Sequence, residues 1–150
     1  MAEFSPHSGR IKDGEHILPL RVYYEDTDAG GIVYYANYMK YMERGRSDML
    51  RNLGINQNEM LKFQTTDDVK FVVVRSEIDY IAPAKLDDEI TVHTKLSKIG
   101  GASLIMAQEI RRAGIILAKG IIKAAVLDGE GKLARLPKKI RKKLIKGQKI

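Results

Sequence analysis

Two periodicities divide the chain. Between Asn37 and Leu53, the residues Tyr38, Met42, Gly45, Met49 and Leu53 recur at spacings of four, three, four and four. Such spacing places them on one face of an α-helix. Lys40, Arg44, Ser47 and Arg51 mark the opposite, polar face, and Gly54 supplies a stop. A helical glycine costs about 1 kcal/mol relative to alanine. Gly45 on the apolar face therefore predicts a close approach, most simply to a sheet.

Elsewhere the period is two. Leu18–Glu25 reads as a strand, as do Val69–Val74, Ser76–Ile81, Asp88–Lys98, Ala102–Arg112 and Ile115–Leu127. Within 88–98, Ile90, Val92, Thr94 and Leu96 share one face. His93 falls on the other, with Thr91 and Lys95, and is expected in solvent. Asn56–Phe63 fits a short helical turn. The breaks at Ala82-Pro83-Ala84, Gly100-Gly101, Ala113-Gly114 and Asp128-Gly129 carry turn chemistry. Loops this short make successive strands antiparallel neighbours, because a parallel crossover needs a dozen residues or more. The expected architecture is α+β: a long central helix against a curved antiparallel sheet of about six strands. One helix cannot cover such a sheet, so a homodimer or homotetramer is expected.

Composition changes this picture in three places. Zero cysteines exclude disulfides, thiolate metal sites and cysteine nucleophiles. No apolar run approaches the length of a bilayer span. The net charge of +7 is local: residues 132–150 hold nine of the 26 basic residues and no acid. Residues 1–131, with 17 basic and 19 acidic residues, are weakly negative. Three regions follow: a flexible lead-in over 1–16 in which His7 and His16 are solvated, a folded body over 17–135, and a basic tail over 136–150. In the tail, Pro137 opens a helix that Gly147 ends, and Ile140 and Leu144 pin one face to the body. Its cationic face suits CoA phosphates, an acidic carrier protein, anionic lipid or RNA, or only solvent. The tail lacks aromatics for base stacking, which argues against nucleic acid.

The candidate chemistry lies in Val22–Tyr38, VYYEDTDAGGIVYYANY. Glu25, Asp26 and Asp28 precede Gly30-Gly31, and the helix starts a few residues on. A helix start presents unpaired N–H groups and a partial positive charge, which can hold an oxyanion. A carboxylate beside it can act as base or nucleophile toward a carbonyl. The acids could equally cap the helix, or hold Mg²⁺ or Ca²⁺, and the tyrosines could serve only the core and interfaces. There is no G-x-S-x-G element, so an α/β-hydrolase is disfavoured.

Arg21–Tyr38, followed by Tyr41-Met42-Glu43-Arg44 and by Tyr80–Asp88 (YIAPAKLDD), resembles the hot-dog-fold acyl-CoA thioesterases. The resemblance is to the Tol–Pal-associated type, related to the 4-hydroxybenzoyl-CoA thioesterases, and spans residues 19–137. It implies a hot-dog fold and hydrolysis of a short-chain or aromatic acyl thioester of CoA or acyl carrier protein. It implies a cytoplasmic location, peripheral to the inner membrane, and no metal or organic cofactor. By resemblance Asp28 is the catalytic carboxylate, and the Tyr35 backbone N–H polarises the thioester carbonyl. Gly30, Gly31, Val33 and Tyr34 shape the substrate loop, and Tyr38 lines the acyl pocket. Many Tol–Pal-associated members carry His where this chain has Tyr35; the hydroxybenzoyl type has Tyr there. Relatives of the latter type carry basic residues for the CoA phosphates at the hairpin matching 98–102, where this chain offers only Lys98. Lys98 and the tail are therefore expected to meet the phosphates. The alternative is a non-catalytic module that holds acyl-CoA or acyl carrier protein.

Overall fold

The computed structural model describes residues 3–150. Six strands form a single antiparallel sheet: β1 (Arg10–Lys12), β2 (Glu15–Arg21), β3 (Lys70–Tyr80), β4 (Glu89–Ile99), β5 (Ser103–Arg112) and β6 (Ile115–Leu127), in the order β1-β2-β4-β5-β6-β3. The helices are α1 (Asn37–Asn52), α2 (Gln57–Met60) and α3 (Lys138–Lys149).

Helix α1 lies on the sheet as the periodicity requires. A Cβ on Gly45 would sit 2.7 Å from Val92 Cγ1 and 3.0 Å from Thr94 Oγ1, so the missing side chain lets the helix touch β4. Below it Gln108 Nε2 donates to Met42 O and to Thr94 Oγ1, and Arg46 Nη1 donates to Gln108 Oε1. This polar rung separates two apolar clusters. One holds Val22, Val33, Tyr38, Met42, Ala84 and Ile110. The other holds Met49, Leu50, Leu96, Val126, Ile140 and Leu144. Leu53 caps α1 and Gly54 turns the chain at φ +77°.

The sheet corrects three expectations. The two strands expected over 69–74 and 76–81 are one, β3 (Lys70–Tyr80): its register against β6 slips between Val73 and Arg75, and that β-bulge breaks the alternation. Strands β3 and β4 are not neighbours, since β3 pairs with β6. Residues 81–88 instead cross the ends of β6 and β5; at about 3.3 Å per residue they can pass strands spaced about 4.8 Å apart. The sixth strand is β1, inside the segment expected to be a loose lead-in. Asp13 and Gly14, at φ 53° and 76°, make the two-residue turn of the β1–β2 hairpin.

Two histidines expected in solvent are buried. His16 is 1% exposed and lies against Asp48 of α1; His93 is 8% exposed, its Nδ1 2.8 Å from Glu15 Oε1. Each is covered because an acid from a distant part of the chain satisfies it. His7 is exposed.

Helix α3 joins the core, with Ile140, Leu144 and Gly147 buried. Arg141 Nη2 donates to Gly100 O at 2.6 Å and Lys143 Nζ to Gly54 O at 2.8 Å. Gly147 does not end the helix; it lies inside it, where a Cβ would meet Leu53 Cδ2 at 2.7 Å.

Candidate active site

Residues 23–37 fold into a closed loop leading into α1. Tyr24–Asp26 form a 3-10 turn, and Asp26 Oδ2 accepts the Tyr23 N–H at 2.8 Å. The chain then doubles back: Thr27 bridges Val33, Asp28 N–H donates to Ile32 O at 2.8 Å, and Tyr34 N–H to Asp26 O at 2.9 Å. Asn37 Nδ2 takes the same Asp26 carbonyl at 2.8 Å and ties the loop to the first turn of α1. Val33 anchors it from below, buried in the core with its N–H on Ala84 O at 2.9 Å. Ala84 in turn donates its N–H to Tyr38 Oη at 3.0 Å.

The two acids point to different places. The carboxylate of Asp26 is occupied by the 3-10 turn. It also faces Tyr41, whose phenol is pushed well above its ordinary range by burial first and by Asp26 second. Asp28 is exposed. Its Oδ1 accepts the Gly30 N–H at 2.8 Å, while Oδ2 has no hydrogen-bond partner among the described residues. The glycines set this geometry. Gly31 adopts φ +79°, which other L-residues rarely take. A Cβ on Gly30 would lie 3.2 Å from Asp28 Oδ1.

Neither acid caps α1. The helix has no side-chain cap and no acid in its first turn. Asn37 N–H is satisfied by Tyr34 O, whereas the Tyr35 N–H meets no acceptor among the described residues. Tyr35, 61% exposed, therefore leaves an unpaired N–H just ahead of the helix, and so does Ala36 among the described residues.

The tyrosines form a chain from surface to core. Tyr34 and Tyr35 lie ring to ring at 4.9 Å, Tyr35 and Tyr80 at 6.1 Å, Tyr80 and Tyr38 at 5.5 Å, and Tyr38 and Tyr41 at 6.2 Å. Tyr80, the first residue of the Tyr80–Asp88 motif, enters from the end of β3. One turn into α1, Met39 borders a groove of about 190 Å³ with Met42, Arg46, Val73, Ser76, Ile78 and Ile122. Met39 lies off the buried stripe of α1 and is 46% exposed, so periodicity does not mark it. Tyr38, expected to line an acyl pocket, is buried in the core and is not among the residues that line this groove.

Lys98 lies elsewhere. It sits at the far end of β4, nine residues beyond Glu89, which pairs with Arg21 near the loop. At about 3.3 Å per residue that is about 30 Å away in the same chain. Among the described residues no group of three or more His, Asp or Glu side chains is gathered as a metal would need. Among the described residues, no helix is long and apolar enough to cross a membrane.

The model of the Thioesterase superfamily matches residues 30–119. An acyl-CoA thioesterase YbgC of Haemophilus influenzae is 41% identical over 130 residues, 86% of this chain and 93% of that protein. An acyl-CoA thioester hydrolase YbgC of Escherichia coli O6:H1 is 43% identical over 95 residues, 63% of this chain and 68% of that protein. A probable thioesterase from Bartonella henselae superposes with TM-score 0.78 at 36% identity, covering 82% of this chain and 99% of its own. A 4-hydroxybenzoyl-CoA thioesterase bound to 4-hydroxybenzoyl-CoA superposes with TM-score 0.80 at 13% identity, covering 87% and 99%, and so shares the fold. The match to the family model, the long helix on its antiparallel sheet and the loop before that helix agree: the chain belongs to the thioesterase superfamily and has the hot-dog fold.

Proposed function

We propose that this acyl-CoA thioesterase works through the Asp28 carboxylate and the Tyr35 backbone N–H. The observation that carries the reading is the Tyr35 N–H without an acceptor, at an uncapped helix start, on the same closed loop as an exposed Asp28. The thioester carbonyl oxygen takes the Tyr35 N–H, and the helix end favours the negative charge that develops there. Asp28 Oδ2 then follows one of two routes. It attacks the carbonyl carbon and expels the thiolate, and water cleaves the resulting anhydride; or it takes a proton from the water that attacks. Thiolate leaves readily, so neither route requires a strong general acid. Gly30 and Gly31 fix the carboxylate, and Val33 and Tyr34 carry the loop into the helix. The Met39–Ile122 groove holds the acyl group. The acyl group proposed is short-chain or aromatic. Tyr38 acts from the core, through its contacts with Tyr80 and the Ala84 N–H.

In the same reading the enzyme is a cytoplasmic homodimer or homotetramer. Strand β3 lies at the edge of the sheet and exposes Val72, Val73 and Val74. A long apolar edge of this kind is normally paired or blunted. A second copy also supplies a way for Lys98, distant within one chain, to reach the phosphates of CoA, or the phosphopantetheine of a carrier protein.

The test is thiol release from a panel of acyl-CoAs. Asp28→Asn should lower turnover about 10²–10⁴-fold with the fold retained. Asp26→Asn, which touches the 3-10 turn and the contact with Tyr41 but not Asp28, should be far milder. Near wild-type turnover in Asp28→Asn would overturn the assignment.

A further inference from the structure

We propose that the outward face of α3 is a docking surface for an anionic lipid bilayer. The inference does not depend on the roles given to Asp28 and Tyr35.

The argument begins with the placement of charge. Lys138, Lys139, Lys142, Lys146 and Lys149 are all exposed. At about 100° per residue they fall within one arc of about 100°, and Lys138 and Lys149 lie about 16 Å apart along the axis. Ile140, Leu144 and Gly147, the buried residues of α3, occupy the opposite arc. None of the five lysines pairs with a carboxylate among the described residues. The stripe is also held rigidly. Arg141 and Lys143, to either side of it, are turned onto the carbonyls of Gly100 and Gly54, and Gln148 Nε2 donates to Leu96 O. Five like charges thus stand in a row on a docked helix, with no carboxylate paired to them among the described residues.

Three features select a bilayer over a nucleic acid. The five charges share one side of a straight helix, so a flat surface reaches all of them at once. They are lysines, point charges on flexible stems that suit a diffuse anionic surface; the forked Arg141 is spent inward. The stripe carries no aromatic ring for a base, but Ile145 lies at its edge and Ile150 at its end, both exposed. Apolar side chains beside a cationic row let a helix settle into a headgroup layer. Clusters of four to eight lysines near a membrane attract anionic lipid at about fivefold in partitioning per residue.

The experiment is co-sedimentation of the full chain with vesicles of phosphatidylcholine alone or mixed with phosphatidylglycerol, at low and high salt. At low salt, binding to the mixed vesicles should exceed binding to neutral ones at least about tenfold, and salt should abolish the difference. The variant Lys138→Gln, Lys142→Gln, Lys146→Gln, Lys149→Gln should lose it while melting like the wild type, since these side chains face solvent. Ile145→Ser should weaken vesicle binding about threefold and leave binding to a homopolymer RNA unchanged. Equal binding to both vesicle types, undiminished binding by the four-lysine variant, or retention on RNA with no retention on the mixed vesicles would each overturn the proposal.

Discussion

His16 Nε2 lies 2.7 Å from Asp48 Oδ2, joining β2 to the buried face of α1. The same carboxylate accepts the Gly9 N–H at 2.8 Å and the Ser8 hydroxyl at 3.0 Å. One acid thereby fastens the N-terminal segment to the central helix. Because Asp48 accepts, His16 Nε2 carries the proton, and Nδ1 is left buried without a partner. Burial outweighs Asp48 and holds the imidazole below its ordinary 6.5. Burial also pushes the Asp48 carboxyl up, but the hydrogen bonds from Gly9, Ser8 and His16 outweigh it and hold the group below 3.8.

The pH dependence follows from the sign of these shifts. Below pH 6.5 the unfolded chain protonates His16 while the folded chain resists, so the unfolded state binds more protons. Stability is complete above that value and falls as pH drops from it toward the lower folded value. A second loss, from Asp48, begins below 3.8. Thermal melts of wild type should show the first decline, and His16→Gln should flatten it. An unchanged slope in His16→Gln would assign the decline to another group. Asp48→Ala, which strands several donors, should cost about 3 kcal/mol.

Two glycines should respond differently to alanine. Gly45→Ala gains helix propensity of about 1 kcal/mol. Yet it drives a methyl into Val92 and Thr94, both buried in the sheet, so a net loss of about 1–3 kcal/mol is expected. Gly147→Ala meets only the tip of Leu53, a half-buried side chain free to turn, and should melt within a few degrees of wild type. Chemical denaturation of the two variants checks the contrast.

Tyr38→Phe removes the acceptor of the buried Ala84 N–H. An unsatisfied amide costs about 1–3 kcal/mol. Turnover should fall less than tenfold, because the Asp28–Gly30 contact and the Tyr35 N–H are untouched. A loss as deep as that of Asp28→Asn would give the phenol a part in the reaction.

Breaking the β3 edge tests the assembly. Val73→Lys with Val74→Lys places two charges on the exposed edge, and sedimentation should show monomers where the wild type forms dimers or tetramers. A monomeric wild type would remove the second copy from the reading of the site.

What could be read in advance depended on distance along the chain. Gly45, the α1 stripe and the turn at Ala113-Gly114 announce themselves within a few residues. Asp28 and Gly30, two residues apart, do the same for the candidate site. The burial of His16 and His93 could not be read this way, because their acids lie 32 and 78 residues off. The β-bulge in β3 hid a single strand behind a break in alternation, and the Asp13-Gly14 turn was masked by polar neighbours. Tyr80 reaches the site only through the pairing of β3 with β6, which runs against the expectation that consecutive strands adjoin.

The rung formed by Arg46, Gln108, Thr94 and Gly45 works as a bulkhead. Tyr38, Met42 and Val33 lie forward of it with the loop of residues 23–37; Met49, Leu96 and the C-terminal helix lie aft. Alterations aft should change how long the molecule survives heating with little effect on which acyl group it takes, and alterations forward should do the reverse. An engineer could therefore retune selectivity and durability in separate rounds.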